Sequence, residues 1–138
     1  MKLGHAKIDN AKVEQGAWVD NIPEMGDLRL KVRGIGNSDY RRLASQLVEA
    51  TPRQFKKAGR IIDTAKLDEI NVTCLVDTVL IDWDGLEGDD GKPLKFDKAA
   101  AKTILLNPDY RPFRDAVVWA ATVASEEAMA STEEAAGN

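Results

Sequence analysis

The chain has 138 residues, 43% hydrophobic and 30% charged, which describes one ordinary globular domain with a modest core. No apolar run approaches the roughly 18–20 residues that a helical membrane span needs, so no membrane is expected as partner. Net charge is −4, but residues 1–60 carry 12 Lys+Arg against 7 Asp+Glu and residues 61–138 carry 7 against 16, a +5 half and a −9 half.

The first 36 residues read as β-rich. "AKVEQGAWVDNI" and "DLRLKVRGIG" are two extended segments separated by the turn-rich "PEMGD". In the second, Leu28, Leu30 and Val32 alternate with Arg29, Lys31 and Arg33, the period of a half-buried strand. Trp18 is the expected core anchor of this small antiparallel sheet. A pair of strands is marginal in water, so helices must cover it. "GNSDYRRLASQLVEA" then starts a helix with Asn37 or Ser38 as N-cap and Tyr40, Leu43, Leu47 and Val48 on one face. Thr51–Pro52 interrupts it, and Pro52 can open a second helix through "RQFKKAG" to Gly59. Asp63 or Thr64 caps "AKLDEINVTCLVDTVLIDW", where Leu67, Ile70, Leu75 and Val79 suggest a helix face; the β-branched "VTCLVDTVLI" leaves a strand open. "DKAAAKTILLN" is a short helix, and Asn107–Pro108 starts the last one. On that helix Phe113, Val117, Val118 and Trp119 form the candidate partner-binding face, with simple core packing as the competing reading. The whole is an α+β fold: a small N-terminal antiparallel sheet of two or more strands, packed by four to five helices. It forms one globular domain over 1–126 (1–36 β-rich, 37–126 helical) followed by a flexible Ala/Glu-rich tail, 127–138.

Between the last two strongly apolar stretches lies "LIDWDGLEGDDGKPLKFD", Leu80 to Asp97, with six acidic residues and three glycines around Trp83. No register of it fits a helix–loop–helix calcium loop: starting at Asp82 puts Leu86 and Glu87 where an oxygen ligand and a glycine belong. A looser site built from Asp82, Asp84, Asp89 and Asp90 is the chemical alternative to a solvated turn. Two "DG" dipeptides, Asp84–Gly85 and Asp90–Gly91, suit the positive φ of tight turns, and Pro93 keeps Lys92 extended. The stretch therefore reads as an excursion between two helices, pinned by Trp83 and by Leu94 or Phe96, with Asp97 capping the helix that follows.

Chemistry is sparse elsewhere. The single histidine, His5, has no serine or cysteine placed beside it, and nitrogen and sulfur ligands are too few for zinc. Cys74 sits in "VTCLV", a setting for a buried small hydrophobe; as the lone cysteine it forms no internal disulfide. "GIGNSD" lacks the third glycine and the following strand of a phosphate loop. "MKLGHAKIDN" lacks an apolar segment, so no secretory signal is expected. The basic residues of the first half are scattered without interleaved aromatics, which argues against nucleic acid. Neither an enzyme, a cofactor nor a metal is expected; a dipolar protein that packs head to tail against itself or a partner accounts for the charge split.

Two stretches together resemble the tail assembly chaperones of long-tailed bacteriophages: "DLRLKVRGIGNSDYRRL" and, forty-odd residues later, "LIDWDGLEGDDGKPLKFDKAAAKTILLNPDYRPFRDAVVWAA". The second carries the stronger likeness, in Trp83–Asp84–Gly85, the acidic turn Asp90–Gly91–Lys92–Pro93, Phe96, and a last helix starting near Pro108. Pro112 and the Ala/Glu tail depart from the pattern. The resemblance implies a non-enzymatic protein of the infected host's cytoplasm, absent from the mature virion. It implies that the chain coats the tape-measure protein, a long helical rod, self-associates along it, and helps recruit the major tail-tube protein. Such chaperones are often made in two lengths by ribosomal frameshifting. The alternative is a small structural virion protein, such as a head–tail joining or tail-terminating subunit.

Overall fold

The computed structural model describes residues 1–137, with side chains through Ala128. After a 3-10 turn at Leu3–Ala6 comes a short helix, α1 (Asn10–Gln15), whose N-cap Asp9 accepts from the Lys12 N–H. Strand β1 (Ala17–Val19) follows, paired antiparallel with β2 (Arg29–Val32). Helix α2 (Ser38–Ala50) leads through a 3-10 turn to a second, two-stranded hairpin, β3 (Lys56–Lys57) and β4 (Arg60–Ile61). Helix α3 (Thr64–Thr78) runs directly into β5 (Leu80–Asp84), and α4 (Lys98–Leu106) and α5 (Arg111–Gly137) complete the chain. The fold is α+β, with five α-helices among the described residues, four of them after the β1–β2 hairpin.

The main sheet has the order β1-β2-β5, all antiparallel, with β2 in the centre. Its register with β5 shifts between Lys31 and Val32, a local irregularity that re-aims the strand end. Leu30 and Val32 of β2 are fully buried, as the alternation predicts. Against them pack Val72, Leu75, Val76 and Val79 from the α3 region, Leu80 and Trp83 of β5, and Ala101 and Leu105 of α4. The buried face of α5 is built from Phe113, Val117 and five alanines at 116, 120, 121, 124 and 128. Small side chains let α5 lie close to β1, β2 and α1. Asn37, Asp63 and Asp97 cap α2, α3 and α4 through the N–H groups of Tyr40, Lys66 and Ala100. Among the described residues no helix is long and apolar enough to cross a membrane.

Several expectations change. "AKVEQ" is helical rather than extended, because Asp9 caps it and Gly16, at φ +90°, ends it before the strand. Trp18 is no core anchor: it is 38% exposed, and the Arg29 guanidinium lies 5.0 Å from its ring centre. Pro52 opens only a 3-10 turn, and Ala58–Gly59, at φ +52° and +78°, form the tip of a hairpin rather than a helix end. The helix expected to reach Trp83 ends at Thr78; Leu80–Asp84 is the third strand of the sheet. The acidic stretch therefore joins a strand to a helix. The C-terminal stretch 127–138 continues α5 as far as Gly137; the side chains from 129 onward, and Asn138, lie outside the described residues.

Candidate functional site

The chain enters α5 through Asn107, whose Oδ1 accepts the Asp109 N–H at 3.0 Å and caps the 3-10 turn Pro108–Tyr110. Pro112 fits in the first turn of α5, where its missing N–H has no partner to lose. Helical spacing then divides the four candidate residues. Phe113 and Val117, four apart, turn inward at 8% and 0% exposure, and Phe113 meets Trp83 edge-on at 6.0 Å. Val118 and Trp119 stay 38% and 37% exposed. The structure thus brings Val118 and Trp119 to the surface and gives Phe113 and Val117 to the core.

Trp119 is a ridge between two grooves. One, of about 490 Å³, is lined by Asp68, Arg111, Arg114, Asp115 and Val118. The other, of about 340 Å³, is lined by Ile22, Pro23, Glu24, Met25, Pro112, Asp115 and Ala116. Arg114 Nη2 lies 3.1 Å from Asp68 Oδ1, tying α5 to α3 and fixing the floor of the first groove. An indole between a groove that carries charges of both signs and one in which Ile22, Pro23, Met25, Pro112 and Ala116 stand beside the carboxylates of Glu24 and Asp115 suits an amphipathic partner. One wall of the second groove, Ile22–Met25, comes from the β1–β2 connection, ninety positions earlier in the chain. Local periodicity holds no signal for them.

The motif residues of the acidic stretch form a closed structural unit. Trp83 is 5% exposed; its Nε1 donates to the Leu94 carbonyl at 2.7 Å, and Phe96 stacks edge-on at 4.9 Å. Leu94 N donates to Leu86 O and Gly88 N to Lys92 O, with Glu87 bridged to Pro93, so residues 86–94 fold back on themselves. Gly85 has φ +76°, and a Cβ there would lie 2.6 Å from the Asp27 carbonyl oxygen. Gly91 likewise has positive φ, as the "DG" pattern predicts. Most of the carboxylates are committed. Asp82 accepts the Trp83 N–H, Asp84 pairs with Arg29 at 3.5 Å, Asp90 accepts the Lys92 N–H and Asp97 caps α4. Among the described residues no group of three His, Cys, Asp or Glu side chains is placed to hold a metal ion.

A polar cluster that the sequence did not announce sits where α1 meets α2. Glu14 accepts the Ser38 N–H and hydroxyl, both at 2.9 Å, and pairs with Arg33 at 3.0 Å. Arg33 also reaches Asp39 at 2.8 Å, and Asp39 pairs with Arg42. The Ser38 bonds, backbone first, and then Arg33 hold the Glu14 carboxyl below its ordinary range. Burial pushes the Cys74 thiol up, with Asp77 adding to it, so this buried thiol is a poor nucleophile at neutral pH.

A family model described as YdaY prophage protein matches residues 35–138, about three quarters of the chain. The comparisons with curated proteins and with solved structures found no match.

Proposed function

The chain belongs to the YdaY prophage protein family, a prophage-derived phage protein, and from that premise we propose that it is a tail assembly chaperone. It binds and solubilises the tape-measure protein and helps recruit tail-tube subunits, working in the cytoplasm of the infected host without catalysis and leaving before the virion is complete. The observation that carries this reading is the half-exposed Trp119 between two grooves. A helical rod presents apolar side chains at spacings of three and four with charges beside them. A tryptophan ridge with Ile22, Pro23, Met25 and the acidic Glu24 on one flank and Arg111, Arg114 and Asp68 on the other, with Asp115 shared between them, meets both. Shallow, open grooves also favour release, which a transient coat requires.

Co-expression with the tape-measure protein of the same prophage tests the proposal. The expected result is a soluble tape measure that co-purifies with many copies of this chain, and at least a tenfold loss of that retention in Trp119→Ala, about 1.4 kcal/mol or more. A tape measure that stays insoluble with the wild-type chain, together with stoichiometric amounts of the chain in purified particles, would replace the proposal with the structural virion protein.

A further inference from the structure

The β3–β4 hairpin and the 86–94 loop carry complementary surfaces that a single molecule leaves unused. Beyond the first eight residues, Ile62 is the most exposed large hydrophobic among the described residues, at 60%. It continues β4, with its N–H bonded to the Phe55 carbonyl, so strand alternation puts it on the same face as Arg60 and, across the hairpin, Lys57. Both cations are exposed, and among the described residues neither forms an ion pair. The hairpin therefore presents a knob, one isoleucine flanked by two positive charges.

The matching concavity lies under the acidic loop. Leu86, Leu94, Ile104 and Phe113 line a pocket of about 240 Å³, with Tyr110 at its mouth. It is smaller than the roughly 300–1,000 Å³ of sites that bury a drug-sized ligand, so an inserted side chain fits it better than a free small molecule does. Glu87 and Asp89 stand on its rim, exposed, and they are the two carboxylates of the stretch whose side chains form no hydrogen bond or ion pair among the described residues. Ile62 is left 60% exposed by its own chain.

We propose that copies of this chain bind one another head to tail, the Ile62 knob of one seated in the 86–94 pocket of the next, with Lys57 and Arg60 facing Glu87 and Asp89. Knob and pocket are different surfaces, so the contact is heterologous: repetition gives a ring or an open string of copies unless geometry closes a pair. The inference stands on the chain alone and holds whatever the chaperone's client is.

Sedimentation of the purified full-length chain over a range of concentrations and salt tests it. Wild type is expected to self-associate, more weakly as salt screens the rim charges. Ile62→Asp is expected to weaken association about tenfold or more. The pair Glu87→Lys with Asp89→Lys is expected to sediment as monomer, as is the pair Lys57→Glu with Arg60→Glu. Mixing those two double variants restores association, because each then offers the other matched charges on both surfaces. All five positions are exposed, and circular dichroism confirms that each variant is folded. A wild type that stays monomeric at every concentration overturns the proposal. So does association undiminished by the knob and rim variants, or double variants that fail to recover on mixing.

Discussion

Asn37 binds three parts of the fold through one side chain. Its Oδ1 accepts the Tyr40 N–H at 2.8 Å, and its Nδ2 donates to the Gly34 and Thr78 carbonyls, both at 2.9 Å. Asn37→Ala removes the cap of α2 and leaves buried carbonyls short of a donor, so about 2–4 kcal/mol of stability is expected to go, measured by urea unfolding. The capping role was legible from an asparagine three residues before Tyr40 at the head of an apolar-periodic run. Its complete burial was not, because Thr78 lies 41 positions away and nothing local marks the meeting. Glu14 makes the same point in charge. Its lowered folded pKa supplies stability that is fully present above the ordinary carboxylate range and is lost as pH falls through the lowered value. Glu14→Gln is therefore expected to flatten part of the acid side of a Tm-versus-pH curve; an unchanged acid side would reject that role.

Among the elements, the 78–85 junction shows what periodicity can and cannot carry. Six of the nine residues from Val72 to Leu80, all but Thr73, Asp77 and Thr78, are apolar, a run that suits a central helix or a central strand equally. The protein uses it for both: α3 is surrounded by α2, α4 and β5, so burial overrides β-branched propensity up to Thr78, after which pairing with β2 takes over. The basic hairpin was missed for a related reason, since Pro52 and Gly59 are equally good helix ends and turn formers. Turns with a strict chemical demand were readable. Gly85→Ala is expected to cost about 1–3 kcal/mol, because both its positive φ and the Asp27 carbonyl oppose a Cβ. Trp83→Ala, which removes the anchor of the 86–94 loop, is expected to cost about 3–5 kcal/mol; thermal melts of the two variants rank them.

For the whole molecule, the sheet binds the N-terminal hairpin to the middle of the chain. β5 lies within the family-matched residues 35–138, but its strand partner β2 lies before them. A fragment starting at Ile35 would leave β5 without its ladder and expose Leu80, Val117 and Ala120 where β1 and β2 now cover the core. It is expected to lose cooperative unfolding, with near-ultraviolet circular dichroism as the readout. Fold class was legible because alternation, caps and "DG" turns are local; the candidate site was half legible, since sequence pointed to α5 but could not show which side of it faces outward or that Ile22–Met25 flank Trp119. That arrangement also labels the protein optically. Trp83 sits in an apolar cage with its indole N–H bonded, Trp18 lies beside a guanidinium, and Trp119 is half in water. Emission from Trp83 is expected to be blue-shifted and to move red only on unfolding, whereas a Trp18→Phe chain should brighten or shift blue at Trp119 alone when a partner covers the groove. Unlabelled protein thus reports its folding and its docking at separate wavelengths.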